Sequence, residues 1–211
     1  MQNNNPSTTR WDPDNGDSKE LLIDQRPNFG APITIYHGTS VGPAILNDQL
    51  RTQPNGDLHI GELALVCRIQ GDFSHGENTA NYWTTKFELA KEYAWQNAFW
   101  SKTNQIVFKA TFNPAAAGVQ LKIFEGPDLT EWRTAVTWGW MGGNQPPSLQ
   151  NHNVIAGWIQ TSVTTPGKPP TKVYWPSKKD GKIDWQIAIT SKPVLSGLTH
   201  VEFQDLGPAT P

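Results

Sequence analysis

The sequence predicts an α+β domain whose core is a split, mostly antiparallel β-sheet with flanking helices. Strand-like runs such as ITIYHG and NQIVFKATF alternate their side chains with a period of two. Two helix-like runs, TTKFELAKEYAWQNAFW and DLTEWRTAVTWGW, fall between strands without the regular alternation that builds a parallel sheet. The 211 residues include 18 glycines and 17 prolines, which favour short elements joined by many turns.

The chain is predicted to have three parts. Residues 1–30 are polar, with scattered Pro, Asn and Asp, which indicates a flexible lead-in with a short helical turn at KELLIDQ. Residues 31–206 form a single domain, and residues 207–211 form a loose tail. The length suits one domain with its own core.

The first strand is ITIYHG, with Ile33, Ile35 and His37 on one face and the intervening residues on the other. After it, VGPAILNDQL is typical of a short helix, and GELALVCRI fits either a strand or a helix. The stretch GDFSHGENTANY is predicted to be a loop that leads into a short strand, NYWTT.

The clearest helix is TTKFELAKEYAWQNAFW. Thr85 and Glu88 have the spacing of a capping box, in which the two side chains satisfy the first backbone amides. One face of this helix carries Phe87 and a row of small residues, Ala90, Ala94 and Ala98. Such a face predicts that the helix approaches the sheet closely.

The second half of the chain continues the mixed pattern. The strand NQIVFKATF is stopped by Asn-Pro, VQLKIF is a further strand, and DLTEWRTAVTWGW is a helix that Thr130 caps. HNVIAGWIQTSV is predicted to be a strand with a kink at its glycine, and TTPGKPPTK to be a loop. DWQIAIT is a strand, KPVLSGL a turn or short helix, and HVEFQDL a strand that closes the sheet.

Composition argues against several classes of function. The net charge is −2 and no basic block is present, so the sequence has no strong nucleic-acid signature. No apolar run reaches membrane-spanning length, and MQNNNPSTTR lacks a signal-peptide core. We therefore expect no membrane partner and a cytoplasmic protein, or one exported by a non-classical route. The single cysteine, Cys67, excludes a disulfide framework within the chain and is predicted to be a buried, inert thiol.

The common metal-binding and phosphate-binding motifs are absent. The sequence has no CxxC, HExxH or GxxxxGK[ST] pattern. His75 and His152 lie in predicted loops, and neither has a second histidine at ligand spacing, so no metal site is predicted.

Three stretches remain: YHGTS, NYWTTKFELAKEYAW and DWQIAIT. Taken singly, a histidine on an apolar strand or an aromatic residue before a helix is more often a packing residue. In this order and at this separation they resemble the diphtheria-toxin-like branch of the ADP-ribosyltransferase superfamily. EGPDLTEWRTAV, HNVIAGWIQTS and DWQIAITSKPVLSGL further resemble segments of DUF3990-type domains of bacteria and fungi, and the resemblance covers roughly residues 33–198.

The resemblance implies that NAD+ is the substrate and that the site needs no metal. His37 would bond a ribose hydroxyl, Gly38 would offer its backbone to the carboxamide, and Thr39 would support the turn. Tyr82 and Tyr93 would enclose the nicotinamide ring, which suits aromatic stacking. Ala90 falls where some relatives carry a serine.

Gln186 is the candidate for the third catalytic position, where the superfamily often has Glu. Its amide can orient a ribose hydroxyl, but it cannot act as a carboxylate base. Asp184 is the nearest carboxylate and Glu202 the next one downstream, so either of them is an alternative third group.

The residues leave several functions open. The resemblance implies transfer of ADP-ribose to a protein, a nucleic acid or a small molecule, and a toxin or effector role is consistent with it. Gln186 makes an NAD+ glycohydrolase of the same fold a close alternative, and a member that binds NAD+ without turnover is another.

The last alternative is a non-enzymatic carbohydrate-binding module, because the chain has 10 tryptophans. Against it stand five tryptophans whose apolar or helical surroundings predict burial: Trp83, Trp95, Trp100, Trp132 and Trp185.

Overall fold

The computed structural model describes residues 9–10, 14, 16–18, 21, 26–41, 68–125, 128–163, 173–179 and 181–209. The strands are β1 (Thr9–Arg10), β2 (Ile33–Val41), β3 (Arg68–Gly71), β4 (Ser74–Thr84), β5 (Asn104–Phe112), β6 (Leu121–Ile123), β7 (Val154–Trp158), β8 (Gln160–Val163), β9 (Val173–Lys179), β10 (Lys182–Ile183), β11 (Trp185–Ile189) and β12 (Thr199–Pro208). The helices whose bounds lie within these ranges are α1 (Phe87–Ser101), α2 (Thr130–Met141) and α3 (Lys192–Ser196), with a short 3-10 helix at Pro147–Leu149.

The fold is α+β with a mostly antiparallel sheet, as the sequence predicts. The main sheet has the order β12-β5-β2-β4-β11-β7-β6, and β3 pairs with β4 as a hairpin. Its neighbours are antiparallel except β6 and β7, which are parallel. A second, smaller sheet joins β1, β9 and β10, and β8 pairs with β9.

The main sheet is split at its centre. Strand β2 pairs with β5 over its whole length, from Ile33 to Val41. It pairs with β4 at one position alone, Tyr36 opposite Thr84. Beyond Tyr36 the two strands diverge, which opens a cleft in the middle of the sheet.

Hydrophobic cores cover both faces of the sheet. Because successive strand residues point to opposite faces, Ile187 belongs to one core and its neighbour Ala188 to the other. The first core contains Ile35, Trp83, Ile106, Phe108, Phe112, Ile187 and Leu195. The second packs helix α2 against the sheet through Phe73, Trp132, Ala135, Val136, Trp158 and Trp185.

Helix α1 lies against β2 through its alanines, as predicted. Ala90, Ala94 and Ala98 are fully buried, and the helix contacts both β2 and β5. The backbones come so close that a Cβ atom placed on Gly38 would lie 1.7 Å from the Ala90 carbonyl oxygen. Gly38 is therefore required by the packing of α1 on β2.

The predicted helix caps are wrong. Helix α1 begins after Lys86 and has no side-chain cap, so Thr85 and Glu88 do not form the capping box. The Thr84 hydroxyl accepts from the amide of Lys86, the N-cap residue, at 3.2 Å, which fixes the chain just before the helix. Helix α2 begins at Thr130 with Leu129, not Thr130, as its N-cap, and the Asp128 side chain accepts from the Thr130 amide at 2.9 Å. That bond lowers the pKa of the Asp128 carboxyl.

Other local predictions also need correction. Most of GDFSHGENTANY is the hairpin of β3 and β4 rather than a loop, with Asp72 and Phe73 in its turn. The stretch VYWPSKK, for which the sequence predicts no strand, forms β9 because it pairs with β1, β8 and β10. The break in HNVIAGWIQTSV comes at Ile159, whose amide bonds the Asp184 carbonyl at 2.9 Å, and not at the glycine.

Two of the five tryptophans that the sequence predicts to be buried are not. Trp83, Trp132 and Trp185 are buried, but Trp95 is 40% and Trp100 82% exposed. Both exposed residues lie on α1, whose sheet-facing side is already filled by alanines.

Several predictions fall on residues that the structure does not describe. They are the helix within residues 42–50, the segment 61–67 with Cys67, and the loop 164–172. Within the predicted lead-in, Thr9 and Arg10 pair with β9, and Asp17 bonds Lys178 at 2.6 Å. None of the helices in the described ranges has the length and apolar character to cross a bilayer.

Candidate functional site

A cavity of about 310 Å³ occupies the cleft between β2 and β4. This volume lies at the lower end of the range for small-molecule sites. All seven residues that the sequence assigns to catalysis or NAD+ binding line it: His37, Gly38, Thr39, Tyr82, Ala90, Tyr93 and Gln186. They come from β2, β4, α1 and β11, so the fold brings three separate stretches of sequence to one place.

His37 spans the point where the sheet splits. Its Nδ1 donates to the Tyr82 carbonyl of β4 at 2.6 Å, and its ring lies against Trp83 and Phe108 with centroids 5.3 and 6.5 Å away. Because Nδ1 carries the proton, Nε2 of the neutral imidazole is an acceptor. The half-buried ring therefore ties the two strands together while it lines the cavity.

The two tyrosines reach the cavity from different elements. The Tyr82 hydroxyl accepts from the Phe73 amide at 2.8 Å and lies 3.0 Å from the Ser74 hydroxyl. The turn between β3 and β4 thus fixes the position of the Tyr82 ring. Tyr93 lies on α1 and is half-buried at the cavity.

Gln186 is buried on β11, directly opposite Thr84 of β4, with 6% of its surface exposed. Its Nε2 donates to the Asp72 carboxylate and, at 3.3 Å, to the Trp158 carbonyl. Both amide hydrogens are thus directed to protein acceptors.

The two alternative carboxylates do not line the cavity. Asp184 is buried and forms an ion pair with Lys86 at 2.6 Å. Glu202 is an exposed residue of β12 and bonds Lys109 at 3.3 Å. Of the three candidates for the third position, Gln186 alone lies at the cavity wall in the part of the chain that the structure describes.

Asp72 is a cavity residue that the sequence alone does not single out. Its side chain is 7% exposed, and its Oδ1 accepts from Trp140 Nε1 at 2.8 Å. Its Oδ2 accepts from the Gln160 amide at 3.3 Å and from Gln186 Nε2. The available signal was the Gly71-Asp72 pair, because Gly-Asp between strand-like runs favours a hairpin turn.

The cavity is electrostatically asymmetric. Among the lining residues that the structure describes, Asp72 carries the only formal charge, and none is Lys or Arg. Burial raises the pKa of the nearby Tyr174 hydroxyl, and the negative charge of Asp72 raises it further. This wall of the cavity therefore favours a ligand group that is cationic or donates hydrogen bonds.

Comparisons with known proteins do not assign the chain to a family. A scan of protein-family models and a search of curated proteins both returned no match. Within the described ranges, no three His, Cys, Asp or Glu side chains come together as a group that could hold a metal ion.

Proposed function

We propose that this protein is an NAD+-consuming enzyme with the fold of the ADP-ribosyltransferases. One observation carries the proposal: residues predicted from three separate motifs line one cavity of about 310 Å³. A chance resemblance of short motifs gives no reason for His37, Tyr82, Tyr93 and Gln186 to meet at the same cleft.

In the proposed reaction the site holds the nicotinamide end of NAD+ and stabilises developing charge. Tyr82 and Tyr93 contact the faces of the nicotinamide ring, while Nε2 of His37 accepts a hydrogen bond from a ribose hydroxyl. The bond between ribose C1′ and the ring nitrogen breaks, and its electron pair leaves with neutral nicotinamide. The positive charge moves to the ribose, where the negative side of the cavity stabilises it.

The nucleophile that attacks C1′ decides the product. Transfer to an acceptor hydroxyl, amine or base gives an ADP-ribosylated product, attack by water gives ADP-ribose, and either attack releases a proton. Gln186 cannot remove that proton, which disfavours transfer to a poor nucleophile and leaves transfer to an acceptor that is already a good nucleophile, or hydrolysis by the abundant water. We rank transfer first and NAD+ glycohydrolase activity as the alternative.

The test is to incubate the purified protein with NAD+ labelled in the adenylate moiety, with and without cell lysate. Transfer predicts nicotinamide release together with label on lysate material. Hydrolysis predicts equal amounts of nicotinamide and ADP-ribose with no labelled acceptor. No nicotinamide in either reaction would refute both.

One observation favours a second candidate function, a non-enzymatic carbohydrate-binding module whose aromatic side chains stack on sugar rings. On the outer side of α1, Trp95 stacks on Phe99 at 5.1 Å and Phe99 contacts Trp100 edge-on at 5.5 Å, and all three are exposed. A glycan-array screen of the native protein and a Trp95→Ala/Trp100→Ala variant tests this alternative. Binding that the variant loses, without nicotinamide release by the native protein, would favour the module over the enzyme.

A further inference from the structure

The contact between Asp72 and Gln186 joins a carboxylate and an amide at the wall of the cavity. Both side chains are buried, with 7% and 6% of their surfaces exposed, and both line the cavity. The residues are 114 positions apart in the sequence, one in the β3–β4 turn and the other on β11. The fold therefore brings a full negative charge against the amide of Gln186.

This contact decides which atom Gln186 presents to a ligand. Its Nε2 carries two hydrogens, and the Asp72 carboxylate and the Trp158 carbonyl accept them. Its Oε1 has no hydrogen-bond partner within the described part of the chain. If the amide were reversed, Oε1 would face the Asp72 carboxylate and the Trp158 carbonyl, an arrangement of acceptors alone.

Asp72 is itself held in place from two other elements. Trp140 of α2 donates to Oδ1, and the Gln160 backbone of β8 donates to Oδ2. Asp72 cannot readily rotate away without leaving these donors unsatisfied. The orientation of Gln186 is therefore set by a rigid neighbour rather than by the ligand.

We propose that Asp72 is a positioning residue that fixes the Gln186 amide with Oε1 toward the nicotinamide ribose and adds the negative charge that glutamine lacks. This inference rests on the proposed NAD+-consuming function. Gln186 then accepts a hydrogen bond from a ribose hydroxyl as one oxygen of a glutamate does. The charge that stabilises the cationic ribose lies one hydrogen bond behind it, on Asp72.

An exchange of the two functional groups tests the proposal. In Asp72→Asn the new amide can turn a donor toward Gln186 Nε2, which forces Gln186 to reorient and removes the charge. In the double variant Asp72→Asn with Gln186→Glu, the carboxylate moves to position 186 and the new amide at position 72 donates to it. The pair then again has one amide and one carboxylate. Asp184→Asn is the matched control, because Asp184 is similarly buried and charged but does not line the cavity.

The expected kinetic results distinguish a positioning role of Asp72 from a purely structural one. Asp72→Asn lowers kcat for nicotinamide release by roughly 10²-fold with a smaller change in KM, because the lost interaction acts mainly in the transition state. The double variant recovers at least about tenfold of that loss, which a merely structural role of Asp72 does not predict. Asp184→Asn lowers resistance to urea but leaves kcat near the native value.

The same four proteins are unfolded in urea to separate folding from catalysis. If the native protein releases no nicotinamide, the proposed function fails, and the positioning role fails with it. Suppose instead that the native protein is active. If the Asp72→Asn variant folds and its kcat stays within about threefold of the native value, the positioning role alone is overturned. The positioning role is also overturned if Asp72→Asn is inactive and the added Gln186→Glu change does not restore activity, although both variants fold.

Discussion

Replacing Gly38 by alanine tests why the first motif contains a glycine. In the structure the added Cβ would lie 1.7 Å from the Ala90 carbonyl oxygen and 2.8 Å from the Ala94 amide nitrogen. The shorter distance is about half of an ordinary contact, which is roughly 3.5 Å. The neighbouring atoms are helix backbone, so α1 would have to move away from β2. We expect Gly38→Ala to destabilise the fold by about 3 kcal/mol or more, the upper end of the cost of overpacking.

Urea unfolding followed by circular dichroism measures this loss, with a thermal melt alongside. A loss of about 3 kcal/mol corresponds to a drop in Tm of roughly 6–12 °C for a domain of this size. Gly197→Ala is the control, because a Cβ on Gly197 would make ordinary contacts at 3.4 and 3.5 Å and the residue has a φ of −86°. If Gly38→Ala is as stable as Gly197→Ala, the packing argument is wrong, and a glycine needed only for ligand approach becomes the better explanation.

Three further predictions concern individual contacts. His37→Asn should keep a donor for the Tyr82 carbonyl but lose Nε2, so its activity should fall about 10- to 100-fold at near-native stability. His37→Gln should instead lose roughly 1 kcal/mol of stability, the value of the hydrogen bond to the Tyr82 carbonyl. If the two variants have equal effects on urea unfolding and on nicotinamide release, this prediction is contradicted. Lys86→Met should lower the free energy of unfolding by about 3 kcal/mol in urea, because it leaves Asp184 charged and buried, and a neutral result would show that the pair does not matter. The pKa of Tyr174 is raised, so the folded state keeps a proton that the unfolded chain loses. Stability should therefore fall as the pH rises above about 10, and Tyr174→Phe should lessen this fall in unfolding curves measured across that range.

Local periodicity predicted much of the fold. The alternation in ITIYHG placed Ile35 and His37 on one face, and in the structure their side chains pack in the same region against Trp83 and Phe108. The alanine row of α1 was also predictable, because small side chains at helical spacing permit close packing. These features depend on residues a few positions apart.

Two features that depend on distant contacts, the Asp72–Gln186 pair and the close packing of α1 on Gly38, were not predictable from the sequence. The hydrogen bond between Asp72 and Gln186 joins residues 114 positions apart, and the sequence around either residue does not indicate it. The hairpin turn at Asp72 lies in a stretch whose Gly, Ser, His and Asn residues favour a loop. For Gly38, the sequence predicts that its backbone is offered to a ligand, and it does not reveal that the backbone of α1 also lies against this residue.

The helix ends show a further limit. The capping box at Thr85 and Glu88 fits the sequence rule, yet α1 begins one residue later, with Lys86 as its N-cap. The ammonium of Lys86 bonds Asp184 and the Ile183 carbonyl, which holds this residue at the start of the helix. A tertiary ion pair therefore outweighs a local capping preference.

The proposed function requires that the cavity between β2 and β4 cleaves NAD+. The rate of nicotinamide release from NAD+ by the purified native protein measures this cleavage, with the folded His37→Asn variant measured beside it. We expect steady release by the native protein and a rate about 10- to 100-fold lower for the variant. Equal rates for the two proteins, or no release by the native protein even with cell lysate as a source of acceptors, would contradict the proposal.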